Sequence, residues 1–422
     1  MDQDEVLATA GERPAHPAGS PWRLVAGLSA LNVLGYVDRQ LLSAVAPLLI
    51  EDLGLSLAQI GLLLGISFML VYAVGTLVVG VLADRWSRPR LMAGGLAAWS
   101  AATGLTGTAT AFLPLALWRA LVGIGEATVP ATAVAMIGDR VPTHRVGLAN
   151  GIFYAGIPVG FAISFALAGL VAPALGWRAC FLGLGAAGLV AVGLLWRMAD
   201  PPRRGIAARS PGGATAAVRL VGRALVARPS LLLVILAGTL LVWASASSQH
   251  AITWLVRERG FVFQRAAFYS AGVLLLAGLT GSLGIGALTD RARRRRPGAR
   301  LVALAALGGI GLAAALVFYR VAPGSFLFLP AWFLAQAWLL GWFGPLLTAI
   351  DEMAPAGSRA GVIGFGLLVI NVVGVAGGPY VTGVIGDRYD LTTGLTWSLV
   401  PAAVGVVLVG LVGLVGLVDR RG

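Results

Sequence analysis

Long apolar runs separated by short polar turns dominate this chain. Twelve of them, at residues 24–50, 57–83, 91–111, 113–137, 146–175, 177–198, 231–256, 266–288, 301–319, 326–350, 362–385 and 395–418, are long enough to cross a bilayer as α-helices. One polar interval is long: residues 199–229, rich in Pro, Gly and Arg, divide the chain into six helices plus six. The pattern therefore predicts an all-α membrane protein of twelve transmembrane helices. Its expected parts are a disordered tail (1–21), a first six-helix bundle (22–198), a central loop (199–229), a second bundle (230–418) and a short tail (419–422).

The polar turns repeat as well. "GVLADRWSRPR" (80–90) follows helix 2 and "GALTDRARRRR" (286–296) follows helix 8; "DRVPTHRVG" (139–147) after helix 4 is matched by "DEMAPAGSRAG" (351–361) after helix 10. A doubled six-helix unit around a central loop is the sequence sign of a two-bundle transporter, with its binding site between the halves near mid-membrane.

Composition supports this reading. The chain is 58% hydrophobic and 12% charged, about half the charge of a soluble domain. Mean hydropathy is +0.87. All 31 basic residues are arginine, which excludes lysine Schiff-base chemistry. Arginine placement sets orientation: 23 lie in the tails and in loops after even-numbered helices, against six in loops after odd-numbered ones. Cytoplasmic loops carry the arginine excess, so both termini are expected in the cytoplasm and the first helix acts as its own targeting signal. The net charge of +13 is then mainly topological. The run "RARRRR" (291–296) reads as an anchor at the inner face of the membrane, not as a nucleic-acid contact. The single cysteine, Cys180, is a packing residue, and no metal-ligand spacing occurs. "GLGAAG" (183–188) spells a dinucleotide fingerprint, but no strand precedes it. Like "GLLLG" (61–65), it suits close helix packing.

Four ionisable residues lie inside spans: Asp38 and Arg39 in helix 1, Arg119 and Glu126 in helix 4. A charge at the bilayer centre costs at least about 2.5–3.5 kcal/mol, so such residues face a cavity or a partner. All four sit in the first half. Aligning helix 10 on helix 4 through Pro345 and Pro130 puts Leu334 and Gly341 at the matching places. Arg119 and Glu126, seven apart, share one helix face. Asn32, Tyr36, Arg39 and Ser43 form a polar stripe on helix 1, and Asp38 lies about 100° off it. Arg39 should face the cavity, with Asp38 turned to a neighbouring helix or the cavity edge. The four charges sum to zero. They can be a structural cluster tying helix 1 to helix 4, or a titratable site where protonation of Asp38 or Glu126 frees an arginine for a phosphate or carboxylate. The second half offers only neutral candidates: Ser247, Gln249, His250 and Trp254 at the end of helix 7, Gln336 and Trp338 in helix 10, and Asn371 in helix 11. His250 reads as a satisfied polar residue near the surface, and Trp254 serves equally well as an interfacial belt residue. A neutral half facing a charged half suits an amphiphile.

The loop "GVLADRWSRPR" resembles the signature loop of the major facilitator superfamily, with Ser87 in place of its second glycine. That resemblance implies the superfamily's two-bundle fold. It also implies a cytoplasmic gate of Asp84, Arg85, Arg88 and Arg90, with Asp139, Arg145, Asp290, Arg291 and Arg359 in the related loops. Within the superfamily, "NVLGYVDRQ" (32–40), "RALVGIGEATVP" (119–130) and above all "DRVPTHRVGLANGIFYAGIPVG" (139–160) resemble the Spinster family; the first two also suit organic anion:cation symporters. The Spinster resemblance is strong over residues 30–190 and general beyond. It implies proton coupling at Asp38 and Glu126 and substrate contacts at Arg39 and Arg119. Animal members move lysophospholipids or sphingosine phosphate.

The expectation is a monomeric inner-membrane secondary transporter working by alternating access, coupled to protons. It has no cofactor and no nucleic-acid partner, and its substrate is an amphipathic lipid or lysolipid. Asn32, Tyr36, Ser43, Ser247, Gln249, Trp254, Gln336 and Asn371 join the two arginines as candidate substrate contacts. One alternative is a proton-coupled symporter of a small organic anion such as a sugar acid. The other is a non-transporting membrane sensor or scaffold.

Overall fold

The computed structural model of the chain describes residues 20–198, 200, 213–296 and 298–418. Residues 1–19 and 419–422 of the expected tails, residues 199 and 201–212 of the expected loop and the Asp84 side chain fall outside what is described.

The spans are α1 (Pro21–Leu53), α2 (Leu57–Leu64 and Ile66–Arg85), α3 (Arg88–Thr106), α4 (Phe112–Glu126 and Pro130–Arg140), α5 and α6 (Val146–Trp196), α7 (Pro229–Ser247 and Ala251–Arg257), α8 (Phe263–Arg295), α9 (Ala299–Arg320), α10 (Phe328–Gly341 and Phe343–Met353), α11 (Arg359–Val369 and Ala376–Arg388) and α12 (Leu391–Val418). Within Val146–Trp196, α5 ends and α6 begins at Gly176, whose non-helical φ of 80° only glycine adopts without strain. α3, with Arg88 and Arg90 in its first turn, is not among the helices long and apolar enough by composition alone to stand out as a span.

Several spans are broken where the chain approaches the centre of the molecule. α4 halts at Glu126, turns through Ala127–Val129 and restarts at Pro130, which has no N–H to leave unpaired. α10 is interrupted at the equivalent place, between Gly341 and Phe343. The two segments of α11 are joined by a π-helix over Ile370–Val375.

Part of the segment expected as loop is helical: Gly213–Ala227 forms a linker helix ahead of α7. Val221, Ala224 and Leu225 repeat at helical spacing and turn inward, and Val221 packs against Gly361 at the start of α11. The flanking Pro, Gly and Arg residues mask this short period in the sequence.

Glycine sets how closely the helices meet. A Cβ at Gly185 or Gly188 of α6 would sit 2.6 Å from the Ser100 carbonyl oxygen or 2.1 Å from Ser100 Oγ of α3, which explains the false nucleotide fingerprint as a packing seam. Between the halves, a Cβ at Gly61 or Gly65 of α2 would lie 2.4 Å from the carbonyls of Pro379 or Ala376 in α11, and one at Gly383 would lie 2.2 Å from Leu57 O. α5 meets α8 through Pro158 on Gly278 and Ala267 on Gly169. The Asp387 carboxylate at the end of α11 accepts from the amides of Leu57 and Ala58 at 2.8 Å each, capping the first turn of α2 in the opposite half.

All of these inter-bundle contacts lie between the arginine-poor ends of the helices and mid-height. Among the described residues at the arginine-rich end, the ion pairs lie within one bundle: Arg88 with Asp139 in the first, and Arg300 with Asp290 and Glu352, Arg293 with Glu352, and Arg359 with Asp351 in the second. There α2 and α11 carry exposed apolar side chains, Val74, Leu77 and Val78 on one and Phe365 and Leu368 on the other. Among the described residues, the molecule is shut at its arginine-poor end and parted at its arginine-rich end.

Candidate functional site

The break in α4 leaves Glu126 as the last residue of its first segment, aimed at α1. Arg39 meets it there: Nη2 and Nε lie 2.6 and 3.1 Å from the same Glu126 oxygen, Oε2. Two turns earlier on α4, Arg119 places Nη1 3.8 Å from Asp38 Oδ1 and donates from Nη2 to the Arg39 carbonyl at 3.4 Å. Thr103 of α3 donates its hydroxyl to the other Asp38 oxygen. Two crossed pairs therefore tie α1 to α4. Helical phase separates them as the sequence predicts, with Arg39 toward the cavity and Asp38 turned to α3 and α4.

The two pairs are not equivalent. Arg119, Asp38 and Glu126 are only 1%, 2% and 4% exposed, whereas the Arg39 side chain keeps 22%. Arg39 also lies over the rings of Phe68, Tyr36 and Tyr72, 4.7–5.0 Å from their centroids, and Arg119 over the other side of the site at 5.2 Å from Phe68. Nε and Nη1 of Arg119, Oδ1 of Asp38 and Oε1 of Glu126 have no hydrogen-bond partner among the described residues. Beside Glu126, lined also by Asn32, Tyr36, Arg39 and Pro130, is a void of about 20 Å³, room for one water.

Arg39 opens onto a central cavity of about 210 Å³ between the halves. The first bundle lines it with Tyr36, Arg39, Gln40 and an apolar wall of Leu64, Phe68, Met69, Phe161 and Phe165. The second bundle supplies a neutral wall: Ser245, Ser248 and Gln249 from the end of α7, Ser270 from α8, Trp332 and Gln336 from α10 and Asn371 from the π-helical part of α11. A π-bulge at a cavity is a frequent mark of function; here it carries Asn371, whose Nδ2 donates to Leu367 O at 2.8 Å.

Of the candidate contacts, Tyr36, Arg39, Gln249, Gln336 and Asn371 line the cavity. The others are used elsewhere. Asn32 donates to Phe153 O of α5 at 2.8 Å and borders the smaller void. Ser43 donates to Gln249 O at 2.6 Å, joining the bundles just beyond the cavity. Ser247 and Trp254 are absent from the lining: Ser247 Oγ accepts from Thr382 at 2.9 Å, and Trp254 Nε1 donates to Thr392 Oγ1 at 2.7 Å. These polar groups satisfy neighbours within the second bundle. Trp338 is likewise buried, against Gly308 and Gly311, and His250 Nε2 pairs with Pro379 O at 2.9 Å. Sequence reasoning passed over Gln40, Thr103, Phe68, Tyr72, Ser245 and Trp332. Among the expected gate residues, Arg88, Asp139, Asp290 and Arg359 are paired within their own halves, while Arg85, Arg90, Arg145 and Arg291 form no ion pair with a described residue.

The sequence profile of the Major Facilitator Superfamily matches residues 28–379. The chain belongs to that superfamily. It is thus a membrane-spanning secondary transporter and not an enzyme. It is 30% identical over 381 residues to an MFS-type efflux pump of Mycolicibacterium smegmatis, covering 88% of this chain and 86% of the pump. Protein spinster homolog 1 of Bos taurus is 29% identical over 416 residues, covering 92% and 76% of the two chains. The Hexuronate transporter of Bacillus subtilis is 32% identical over 165 residues, 39% of this chain and 38% of its own. Among solved structures, the transporter is similar to a bacterial homolog of the human lysosomal transporter Spinster in an inward-facing, unoccupied conformation. The TM-score there is 0.84 at 22% identity, covering 95% of this chain and 99% of that one.

Proposed function

We propose that this transporter moves an amphipathic anion of the lysolipid class by alternating access, coupled to protons. The observation that carries the reading is the division of the cavity. One wall holds a partly exposed guanidinium, Arg39, in an aromatic and aliphatic surround; the other has no charge. A phosphate or carboxylate head group would exchange for Glu126 on Arg39, and an acyl chain would follow the apolar wall. Nearly full-length similarity to Spinster proteins supports the same reading.

Coupling follows from charge balance. A proton on Glu126 releases Arg39 to an incoming anion, and a proton on Asp38 does the same for Arg119. The void beside Glu126 gives a water, and hence a proton, a place to reach the carboxylate. With the arginine-rich end assigned to the cytoplasm, both termini lie there, the membrane is the bacterial inner membrane, and the parted state is inward-open. Arg88, Asp139, Asp290 and Arg359 then belong to a gate that has separated.

The second reading, a symporter of a small organic anion, is favoured by relatives named as hexuronate, sulfoacetate and L-galactonate transporters. It too uses Arg39. The deciding experiment is flux into proteoliposomes of the purified chain, offering a lysophospholipid and a hexuronate with and without a pH gradient. Lysolipid flux that rises with the gradient is expected. Hexuronate flux alone overturns the lipid reading, and gradient-independent flux overturns the coupling.

A further inference from the structure

The neutral wall of the cavity contains an unfinished hydrogen-bonding pair. Trp332 and Gln336 are four residues apart on α10, so they share one face of the helix. They are 1% and 5% exposed, and both line the cavity. Neither Trp332 Nε1 nor Gln336 Oε1 has a hydrogen-bond partner among the described residues. The first is a donor and the second an acceptor.

Three other buried indoles of this protein are satisfied. Trp177 Nε1 donates to Asp52 at 3.1 Å, Trp254 Nε1 to Thr392 at 2.7 Å and Trp342 Nε1 to Ser245 at 3.0 Å. Trp332 is also not free to turn away, because its ring stacks on Phe318 at 5.2 Å and 12°. A buried donor and a buried acceptor left side by side cost stability unless something fills both. A hydroxyl is the smallest group that accepts from one and donates to the other.

We propose that Trp332 and Gln336 form a hydroxyl-recognition subsite, which selects substrates carrying a free hydroxyl in addition to the anionic group held by Arg39. The inference rests on the proposed role of Arg39 but not on the acyl chain, because a lysolipid and a sugar acid both present such a hydroxyl. Its consequence differs between them. For glycerolipids, a free hydroxyl is what separates a lysolipid from its doubly acylated parent, so the subsite rejects the parent by leaving Trp332 and Gln336 unpaired.

The test is equilibrium binding to the full chain in nanodiscs, with two probe pairs: 1-oleoyl lysophosphatidate against its 2-deoxy analogue, and galacturonate against its monodeoxy analogues. The expected result is that the wild-type chain prefers a hydroxyl-bearing probe by about tenfold. Gln336→Leu should remove that preference by weakening the hydroxyl-bearing probe alone, and Trp332→Phe, which keeps the stacked ring, should act in the same way. Arg39→Gln should weaken both members of a pair equally and keep the preference. Unchanged affinity of Gln336→Leu for the deoxy analogue shows that the variant is folded. Preference seen only with galacturonate sinks the lysolipid reading and leaves the subsite standing. Absence of preference in the wild-type chain, equal loss of both probes in Gln336→Leu, or no binding of either pair overturns the subsite.

Discussion

The two bundles share a fold and a set of turns, yet they face the cavity with opposite chemistry. In the first, α4 breaks after Glu126 and uses the break to present a carboxylate to Arg39. In the second, α10 breaks after Gly341, and a Cβ there would lie 2.5 Å from Gly281 O of α8. The same backbone interruption serves charge in one half and close packing in the other. The repeat thus conserves where the helices bend, while side chains decide what each bend is for. On the reading proposed above, such an asymmetry would let one half bind and titrate while the other supplies shape and neutral contacts.

The largest expected effect breaks the charged half. Arg39→Leu leaves Glu126 buried without its partner, which costs about 3–5 kcal/mol. Thermal unfolding should register that loss, and proteoliposome flux should fall to background. Adding Glu126→Leu should recover most of the stability and none of the flux; recovery of flux would make the pair purely structural. Next comes the neutral half. Gly341→Glu should fail to create a second charged site and instead destabilise the chain by about 3 kcal/mol or more, because both the Cβ and a buried charge must be accommodated. A folded, stable variant in size-exclusion and melting assays would show that the packing difference is not restrictive.

A smaller effect separates the two ion pairs. Asp38→Asn keeps the contact with Thr103 but removes the charge beside Arg119. Flux should drop about tenfold and lose its dependence on external pH, while Arg39–Glu126 stays formed; unchanged pH dependence would leave Glu126 as the sole proton site. Ser245→Ala orphans Trp342 Nε1 and should cost about 1 kcal/mol in a melting assay. The smallest effect lies away from the cavity. Arg178 and Asp52 pair at 2.5 Å with about 40% of each side chain exposed, so Arg178→Ala should cost under about 1 kcal/mol.

The twelve crossings, the doubling and the location of the four charges were legible because membrane burial writes them as long apolar runs with rare exceptions. Helical phase also gave the direction of Arg39 and Asp38. It could not give their partners, since a face of one helix does not say which helix stands opposite. The crossed pairing with Glu126 and Arg119 and the contact from Thr103 are tertiary facts. Phe68 and Tyr72 were lost among the aromatics of an apolar span; only the approach of α2 to α1 makes them a surround for Arg39. Ser247 and Trp254 show the reverse error: as polar groups in a greasy helix they read as substrate contacts, but Thr382 and Thr392 use them. The helix at Gly213–Ala227 was hidden by its flanks, and the π-helix at Ile370–Val375 leaves no periodic trace at all.

The clamp at Asp387 has one more consequence. The first turn of α2 has amides that no residue of its own helix can accept. Ser56 and Gln59 look after each other's through a capping box, which travels with the first bundle wherever it moves. Leu57 and Ala58 depend instead on a carboxylate from the other bundle. Half of this helix start is therefore self-sufficient and half is on loan. Were the arginine-poor end to part, water would have to take over two amides and one carboxylate together. The seal at that end is thus carried by the main chain on the α2 side, insensitive to the side chains of Leu57 and Ala58.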